Sequence, residues 1–300
     1  TGLLLHGLSD GNYTAEIRSR DNAGRVSSHQ RINSFYIDTA PPEITDVIMP
    51  DLCGIGSLTV TIYTHDPSGL DSVSYPHLYL HRSDQDTLPF TINTMAQNLI
   101  IATVDIPSDL PEGDYNLSIH HLSDRRHNSQ SLPIQLGKIR IDTRRPRLHH
   151  SYPTSMQVQV SSLTTIRLWF DRKLAVSSLS QEHFSLTDLS SNQSINGEFF
   201  LTFQDTLSLL TFAPSERLNF LTPYRIKASA QIADTLGNPL EQDYLIQFTT
   251  GSLIKPDSGA ILYSADSSLS LYIPPMALNA EEEISIEIQD SDSRLEWPEL

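Results

Sequence analysis

Histidines and acidic side chains are the groups in this 300-residue chain that could bind a metal ion; the chain has 11 histidines and 36 Asp and Glu residues. His77 and His81 are four residues apart, a spacing that would suit one face of a helix. Residues 77–81 alternate as a strand does, and residues four apart in a strand lie about 13 Å from each other. One metal ion cannot bind both, because ligand distances are about 2 Å. The adjacent pair His120 and His121 would point to opposite faces of a strand. The spacing predicts scattered surface histidines.

Carboxylates offer a second type of metal site. Asp66 and Asp71 share one loop with Ser68, and Asp38 and Asp142 each follow an apolar strand-like segment. Calcium requires six to eight oxygen ligands, and loops between domains can supply them. No Asp-x-Asp-x-Asp-Gly loop is present, however, and Asp-Pro-Ser-Gly also forms ordinary turns. We assign no metal ligand, and structural calcium near Asp66 and Asp71 or at the domain junctions remains an open alternative.

Catalytic motifs are missing from the sequence. It contains no His-Glu-x-x-His, no Gly-x-Ser-x-Gly and no glycine-rich phosphate loop. The single cysteine, Cys53, excludes an intrachain disulfide and a cysteine zinc site. Trp169 and Tyr13 could stack on sugar rings, but each lies in an alternating strand with apolar neighbours, which predicts a core position. We therefore assign no catalytic residue, no cofactor and no cofactor-binding residue, and we expect a protein that is not an enzyme.

The charge is strongly negative and unevenly distributed. The chain has a formal charge of −16, which disfavours nucleic acid because phosphate recognition requires a basic face. Residues 41–143 and 252–300 each carry −8, whereas residues 1–40 and 144–251 are neutral. No apolar run approaches the roughly 20 residues of a membrane span, so no span is expected in this segment. The acidic run at residues 281–283 is predicted to be a solvated strand edge or loop.

The elements that position these side chains have the periodicity of strands. Alternation of apolar and polar residues predicts strands at four places: residues 58–64, 115–119, 224–228 and 269–273. Turn-forming residues separate such segments along most of the chain. Short strands divided by turns indicate antiparallel sandwiches or barrels, so the predicted fold class is all-β.

An internal repeat predicts the domain boundaries. The first copy contains Gly11-Asn12-Tyr13 and then Ile-Asp-Thr-Ala-Pro-Pro at residues 37–42. The second contains Gly-Asp-Tyr at residues 113–115 and then Ile-Asp-Thr-Arg-Arg-Pro at residues 141–146. A residue before proline is held extended, so these endings act as short, stiff linkers. The predicted division is the C-terminal part of one domain at 1–40, sandwiches at 41–144 and 145–251, and the start of a further β-rich module at 252–300.

The repeat resembles the tandem Ig-like domains of large bacterial surface proteins. Members of that family have a Gly-x-Tyr strand, an Asp-x-Ala-Gly turn and a closing Ile-Asp-Thr-x-Pro-Pro. The first copy carries all three, with the turn at residues 21–24. The second copy departs at the turn, where Ser123-Asp124-Arg125-Arg126 stands instead. This resemblance implies a string of immunoglobulin-like β-sandwiches.

Two other segments resemble known modules. Residues 152–250 are similar to the bacterial Ig-like domain found in S-layer proteins, through residues 166–171, 209–214, 218–224, 232–238 and 248–251. Asp234 and Asn238 of this segment are interpreted as turn formers around Gly237. Residues 259–288 resemble the opening of the β-sandwich module of ankyrins and netrin receptors, with Met276 where that family usually has glycine.

The sequence names no reaction, and its functional content is the tandem architecture. We expect a non-catalytic structural or adhesive stalk region of a large exported bacterial protein, extracellular or on the cell surface. Its partner would be an unidentified cell-surface, matrix or glycan ligand. The alternative is a glycan- or ligand-binding accessory region of a larger extracellular enzyme. Both ends look cut, so we expect the chain to be part of a longer protein.

Overall fold

The computed structural model describes residues 7–82, 87–96, 98–264 and 267–286. Within these ranges the chain forms strands and a single 3-10 turn at Val176–Ser178, with no α-helix. The predicted all-β fold class is therefore confirmed. Two compact units are present, Thr1–Thr143 and Arg144–Leu300, and each is described by itself.

The first unit contains a hairpin followed by a complete sandwich. Its strands are β1 Gly11–Ile17, β2 Gln30–Ile37, β3 Glu43–Ile48, β4 Leu52–Cys53, β5 Gly56–His65, β6 His77–His81, β7 Thr87–Pro89, β8 Thr91–Ala96, β9 Leu99–Ile106, β10 Gly113–His120 and β11 Ile134–Ile141. Strands β1 and β2 pair only with each other. The sandwich has one sheet in the order β3-β5-β9-β8 and one in the order β4-β11-β10-β6-β7. All pairs are antiparallel except β4 with β11.

Alternation along β5 shows why this sandwich forms. Leu58, Val60 and Ile62 are buried and their neighbours are more exposed, as the sequence pattern predicts. Leu117 and Ile119 of β10 face them from the other sheet in the same buried cluster. Because side chains alternate across a strand, each sheet has one apolar face, and the two apolar faces close on each other.

The second unit contains a sandwich of the same topology and a smaller β-module. Its strands are β12 Leu148–Tyr152, β13 Gln157–Val160, β14 Ile166–Phe170, β15 Phe184–Asp188, β16 Gln193–Ile195, β17 Gly197–Gln204, β18 Leu207–Pro214, β19 Pro223–Ala228, β20 Tyr244–Thr250, β21 Leu253–Ile254, β22 Ala260–Tyr263, β23 Ser270–Ile273 and β24 Glu282–Glu283. The sheet orders are β12-β14-β18-β17 and β13-β20-β19-β15-β16. Strand for strand, these are the orders of the first sandwich.

Three separate clusters of buried apolar side chains accompany these elements. One is centred on β5, β9 and β10, the second on β14, β18 and β19, and the third is a small cluster of Ile254, Leu262 and Ile273. Separate cores are the physical mark of separate domains. The finer division at residues 40 and 251 stays a prediction that these cores support.

A tyrosine near the start of an equivalent strand recurs in the first hairpin and in both sandwiches. The Tyr13 hydroxyl donates to the Ser9 carbonyl at 2.8 Å, and the Tyr115 hydroxyl donates to the Pro111 carbonyl at 2.7 Å. The Tyr224 hydroxyl instead accepts from the backbone N–H of Asn219 at 2.8 Å. Such a tyrosine corner ties a strand to the loop that precedes it. The prediction of a core position for Tyr13 needs correction, because its half-buried ring stacks on Phe35 outside the buried clusters.

The acidic run at residues 281–283 differs from its prediction at one position. The Glu283 side chain is 10% exposed, and its carboxylate accepts hydrogen bonds from the backbone N–H and the hydroxyl of Ser162. Arg217 lies 3.9 Å away and provides the opposite charge. The expectation of a solvated edge is therefore wrong for Glu283, because β24 pairs with β21 and brings this carboxylate against the preceding sandwich.

Leu117→Ala should destabilise the first sandwich. Leu117 is fully buried, and deletion of a buried leucine side chain costs about 2–5 kcal/mol through lost burial and the cavity left behind. The free energy of unfolding can be measured by chemical denaturation of the full chain. Leu132→Ala is the matched control because Leu132 is 75% exposed, and its effect should stay within about 0.5 kcal/mol. Equal effects of the two substitutions would contradict the assigned core.

Candidate metal centre

Two loops meet at one end of the first sandwich. The loop after β5 and the loop between β10 and β11 are joined by a bridge between Leu70 and Asp124. The backbone N–H of Asp71 donates to the Ser123 carbonyl, and the N–H of Arg125 donates to the Gly69 carbonyl, both at 3.0 Å. These loops correspond to the B–C and F–G loops, which lie at the same end of an immunoglobulin-type sandwich.

Asp66 is fixed by its own loop. Its Oδ1 accepts hydrogen bonds from the N–H and the hydroxyl of Ser68, both at 2.8 Å, and from the N–H of Gly69 at 2.9 Å. Gly69 has a φ of +76°, a left-handed conformation that glycine adopts without strain. The carboxylate is 5% exposed. This turn therefore holds one negative charge below the surface.

Asp124 is fixed in the second loop and is fully buried. Its Oδ1 accepts from the N–H groups of Arg126 and Asn128, and its Oδ2 accepts from the side-chain amide of Asn128, all at 2.8 Å. The same turn occurs in the first hairpin and in the second sandwich. Asp21 accepts from the N–H groups two and four residues on, and so does Asp234. The aspartate is thus a constant part of this loop, and it is buried in both sandwiches, whereas Asp21 of the first hairpin is exposed.

Asp38 comes from the preceding module. It follows β2 directly, and the Asn128 side-chain amide donates to its backbone carbonyl at 3.0 Å. Asp38 is 9% exposed, and its Oδ2 is buried with no hydrogen-bond partner. A buried acceptor without a partner is costly, and a charged one more so. The Asp38 carboxylate is therefore left uncompensated by the described residues.

The three carboxylates converge on one point. Asp38, Asp66 and Asp124 each offer an oxygen, and these atoms lie within 4.8 Å of one another. In the described part of the chain, no Lys, Arg or His side chain forms an ion pair with any of the three. Their negative field reaches a neighbour as well. Burial raises the pKa of the Tyr36 phenol, and the charges of Asp38, Asp10 and Asp66 raise that pKa further.

The donor set indicates the kind of ion. All three ligands are carboxylates, with no nitrogen or sulfur, and hard oxygen ligands select calcium or magnesium over transition metals. Calcium tolerates irregular geometry and completes its shell with carbonyl oxygens and water. Two of the carboxylates lie on loops and the third follows a strand, an irregular arrangement that suits calcium better than magnesium, which requires near-octahedral geometry.

The sequence identified this site only in part. Asp38 and Asp66 belong to the cluster, whereas Asp71 does not: its Oδ1 accepts from the Val73 N–H, and its Oδ2 lies 3.7 Å from His127. The pKa of Asp71 is lowered, chiefly by that backbone hydrogen bond. Asp124 was missed. The Asp-x-x-x-Asn spacing that it shares with Asp234 is the signal that could have identified it.

The histidines are less scattered than their spacing predicts. β6 pairs with β10, which places His77 opposite His120. The rings of His77 and His121 are 5.9 Å apart, and those of His120 and His121 are 6.4 Å apart. The prediction that the adjacent pair points to opposite faces is wrong, because β10 ends at His120 and His121 has a φ of +57°. In the described part of the chain, however, these imidazoles do not form a three-ligand metal group.

Trp169 also departs from its prediction. It lies outside the buried cluster of its sandwich, half-buried, with its ring 5.1 Å from His150. Arg167 packs over Trp169 and, at 4.6 Å, over the Tyr152 ring. The physical reason is register: Leu168 and Phe170 take the inward positions of β14, so Trp169 faces outward.

These features define a tandem of immunoglobulin-like β-sandwiches with an acidic junction in the first unit. Residues 142–250 match the family model described as bacterial Ig-like domain, so the predicted resemblance to bacterial Ig-like domains is confirmed. No curated protein matches the chain. No helix in the described residues is long and apolar enough to cross a membrane.

Solved structures similar to the chain are distant in sequence. The N-terminal part of the bacterial S-layer protein SbsC has 14% identity and a TM-score of 0.28; the match covers 42% of this chain and 32% of that one. The chain thus spans about a third of that structure. Titin Ig tandem domains A164-A165 have 10% identity and a TM-score of 0.25, covering 71% and 98% of the two chains. The N-terminal Ig1-2 module of the Drosophila receptor protein tyrosine phosphatase DLAR has 9% identity and a TM-score of 0.23, covering 71% and 100%.

Asp38→Asn should have opposite effects with and without calcium. At an effective dielectric of about 20, two unit charges about 5 Å apart repel by roughly 3 kcal/mol, so removal of one should stabilise the metal-free protein by about 1–3 kcal/mol. In calcium the variant should lose the stabilisation that the wild type gains. Calorimetric unfolding in chelator and in millimolar calcium measures both effects. Asp105→Asn removes an exposed charge from the same sandwich and should change neither result. Destabilisation by Asp38→Asn in chelator would refute the repulsion.

The histidine cluster should make the first sandwich sensitive to acid. Partial burial lowers the pKa of His120, and the charges of His121, His77 and His81 lower it further. As the pH falls, the His120 imidazole is therefore protonated in the unfolded chain before it is protonated in the folded one. Its contribution to the free energy of unfolding is present above about pH 6.5, the pKa in the unfolded chain, and is lost as the pH falls through the lower pKa of the folded state.

His120→Asn should consequently reduce the dependence of unfolding free energy on pH between neutral and mildly acidic buffers. Denaturant titrations at a series of pH values measure that slope. His65→Asn, at an exposed position of the same sandwich, is the control and should leave the slope unchanged. An unchanged slope in the His120 variant would refute the assignment.

Proposed function

We propose that the chain is a non-catalytic stalk or adhesion region of a large exported bacterial surface protein, and that calcium couples two of its modules. The observation that carries this proposal is the convergence of Asp38, from the first hairpin, with Asp66 and Asp124 of the next sandwich. An ion bound by all three would join one module to the next across the short link at residues 39–42.

The link itself is built for this role. It reads Thr39-Ala-Pro-Pro, and its two prolines restrict the backbone that follows Asp38. The N–H and hydroxyl of Thr39 both donate to Asp10 Oδ1, at 3.1 and 2.7 Å. Asp38 is thus held between a strand and an anchored threonine. A bound ion would need to order little additional chain, which favours binding.

Calcium concentration connects this site with an extracellular location. Calcium sites of extracellular modules commonly have dissociation constants of about 10⁻⁴–10⁻³ M, which only the outside of a cell satisfies. A ligand present at 100 times its dissociation constant stabilises the folded state by about 2.7 kcal/mol. A stalk with such a junction would be stiff outside the cell and looser where calcium is scarce.

Aromatic side chains give less support to the alternative of a glycan-binding accessory region. Sugar binding uses exposed ring faces, and Arg167 packs over both Trp169 and Tyr152. Tyr63 is 40% exposed and Tyr79 is half-buried against His77 and His120. These rings support the accessory-region alternative less than the acidic junction supports a structural role, so the structural role is the proposal.

Small-angle scattering of the full chain tests the stalk. A single compact globule of 300 residues would have a radius of gyration of about 19 Å, and a string of modules should exceed it clearly. Chelator should broaden the distance distribution of the wild type, because the junction loses its ion. In Asp66→Asn the curves with calcium and with chelator should coincide.

Two results would overturn the proposal. A radius near 19 Å would contradict a string of modules. Identical wild-type curves in calcium and chelator, together with no heat of calcium binding, would contradict the coupled junction. Specific binding of the same protein to a glycan array would favour the accessory-region alternative.

A further inference from the structure

The two sandwiches differ in how they neutralise the same buried aspartate. Asp124 and Asp234 occupy equivalent places, because Asp124 bridges Leu70 and Asp234 bridges Leu174. The flanking hydrogen bonds repeat as well. The Asp71 N–H donates to Ser123, and the Ala175 N–H donates to Ala233, each immediately after the bridging leucine.

The aspartates also have matching acceptor sets. Oδ1 of Asp234 accepts from the N–H groups of Leu236 and Asn238, and Oδ2 accepts from the Asn238 amide at 3.1 Å. These are the donors that Asp124 has from the residues two and four positions on. The turn therefore supplies the same hydrogen bonds in both sandwiches, and any difference lies in what else meets Oδ2.

In the second sandwich a guanidinium meets that oxygen. Arg172 donates from Nε to Asp234 Oδ2 at 2.9 Å, and the side chains are 18% and 2% exposed. The backbone at Arg172 is also fixed, because the buried Ser208 hydroxyl donates to its carbonyl at 2.9 Å and accepts from the Leu174 N–H at 2.8 Å. The pair is thus a fixed internal charge compensation.

The bridges identify the residue that corresponds to Arg172 in the first sandwich. Arg172 stands two residues before Leu174, and Ser68 stands two residues before Leu70. Counted forward from the paired strands, where matching β-bulges align Thr64 with Phe170, Asp66 takes the place of Arg172, because the loop of the first sandwich is two residues longer. At this place the first sandwich therefore has one more carboxylate, that of Asp66, and no guanidinium. The second sandwich has the guanidinium of Arg172 instead.

We infer that Arg172 is a built-in replacement for the cation of the first sandwich, so that the second sandwich is held at this loop independently of calcium. This inference rests on the proposed calcium site and specifies its regulation: the response to calcium belongs to the first unit. A positive charge introduced at the equivalent place in the first sandwich should make the stability of that sandwich independent of calcium. An arginine at position 68 would place its guanidinium next to Asp66 and Asp124 and displace the ion.

Calorimetric calcium titration of the full chain tests the transfer. Wild type and Ser108→Arg, which adds the same charge at an exposed turn of the same sandwich, should bind one calcium ion at this site, whereas Ser68→Arg should weaken binding at least about 100-fold while it unfolds in chelator at a temperature no lower than wild type. Ser68→Lys is the second variant if the arginine does not fold. Calcium binding by the folded Arg or Lys variant with wild-type affinity would overturn the inference. Absence of binding in the wild type would instead refute the proposed function.

Arg172→Gln tests the second sandwich without reference to the first. Loss of one partner of a buried ion pair should lower the unfolding temperature of the second unit by about 5–10 °C, and millimolar calcium should not restore it. Arg147→Gln, which breaks the exposed ion pair with Glu241, is the control and should lower it far less. An unchanged unfolding temperature in Arg172→Gln would overturn the inference, because the guanidinium would then not be needed to compensate Asp234.

Discussion

A buried carboxylate must be compensated, and this requirement governs the ends of both sandwiches. Asp124 is fully buried and Asp234 is 2% exposed, each at the centre of a turn that its own oxygens organise. The turn supplies backbone and amide donors, but hydrogen bonds alone leave a net charge in a medium of low dielectric. For Asp234 the positive charge of Arg172 completes this compensation, and for Asp124 it is the role that we propose for calcium. The sandwich cores are alike, and the difference between the domains lies in this compensation.

Strand content could be predicted because it depends on local alternation. The segments at residues 58–64, 115–119 and 224–228 became β5, β10 and β19 with their apolar residues inward. Where consecutive residues of a strand are all apolar, alternation does not indicate which of them face the core. Trp169 is the example, since Leu168 and Phe170 occupy the core and the larger ring lies outside. Register between strands decided that outcome, and register arises from pairing with distant segments.

The candidate site could be predicted only as separate pieces. Asp38 and Asp66 were identifiable as acidic residues at a strand exit and in a loop, but nothing local to either indicates that Asp124 joins them from a loop 58 residues beyond Asp66. That contact is a product of topology, since the B–C and F–G loops come together only when both sheets have formed. Similarly, His77 meets His120 because β6 pairs with β10, whereas spacing along the chain compared only residues within one strand.

The distribution of charge acquires a structural meaning from these sites. Residues 41–143 carry −8 and contain two carboxylates of the acidic cluster, while residues 144–251 are neutral and contain the Arg172–Asp234 pair. In the second unit, Glu283 is likewise compensated from within, by Ser162 and Arg217. The acidic cluster thus lies mainly in a segment with excess negative charge, and the Arg172–Asp234 pair lies in a neutral one. With the proposed calcium site, such a chain would respond to calcium at one junction while its neighbouring domain keeps its stability, because Asp234 is compensated by Arg172 within its own unit.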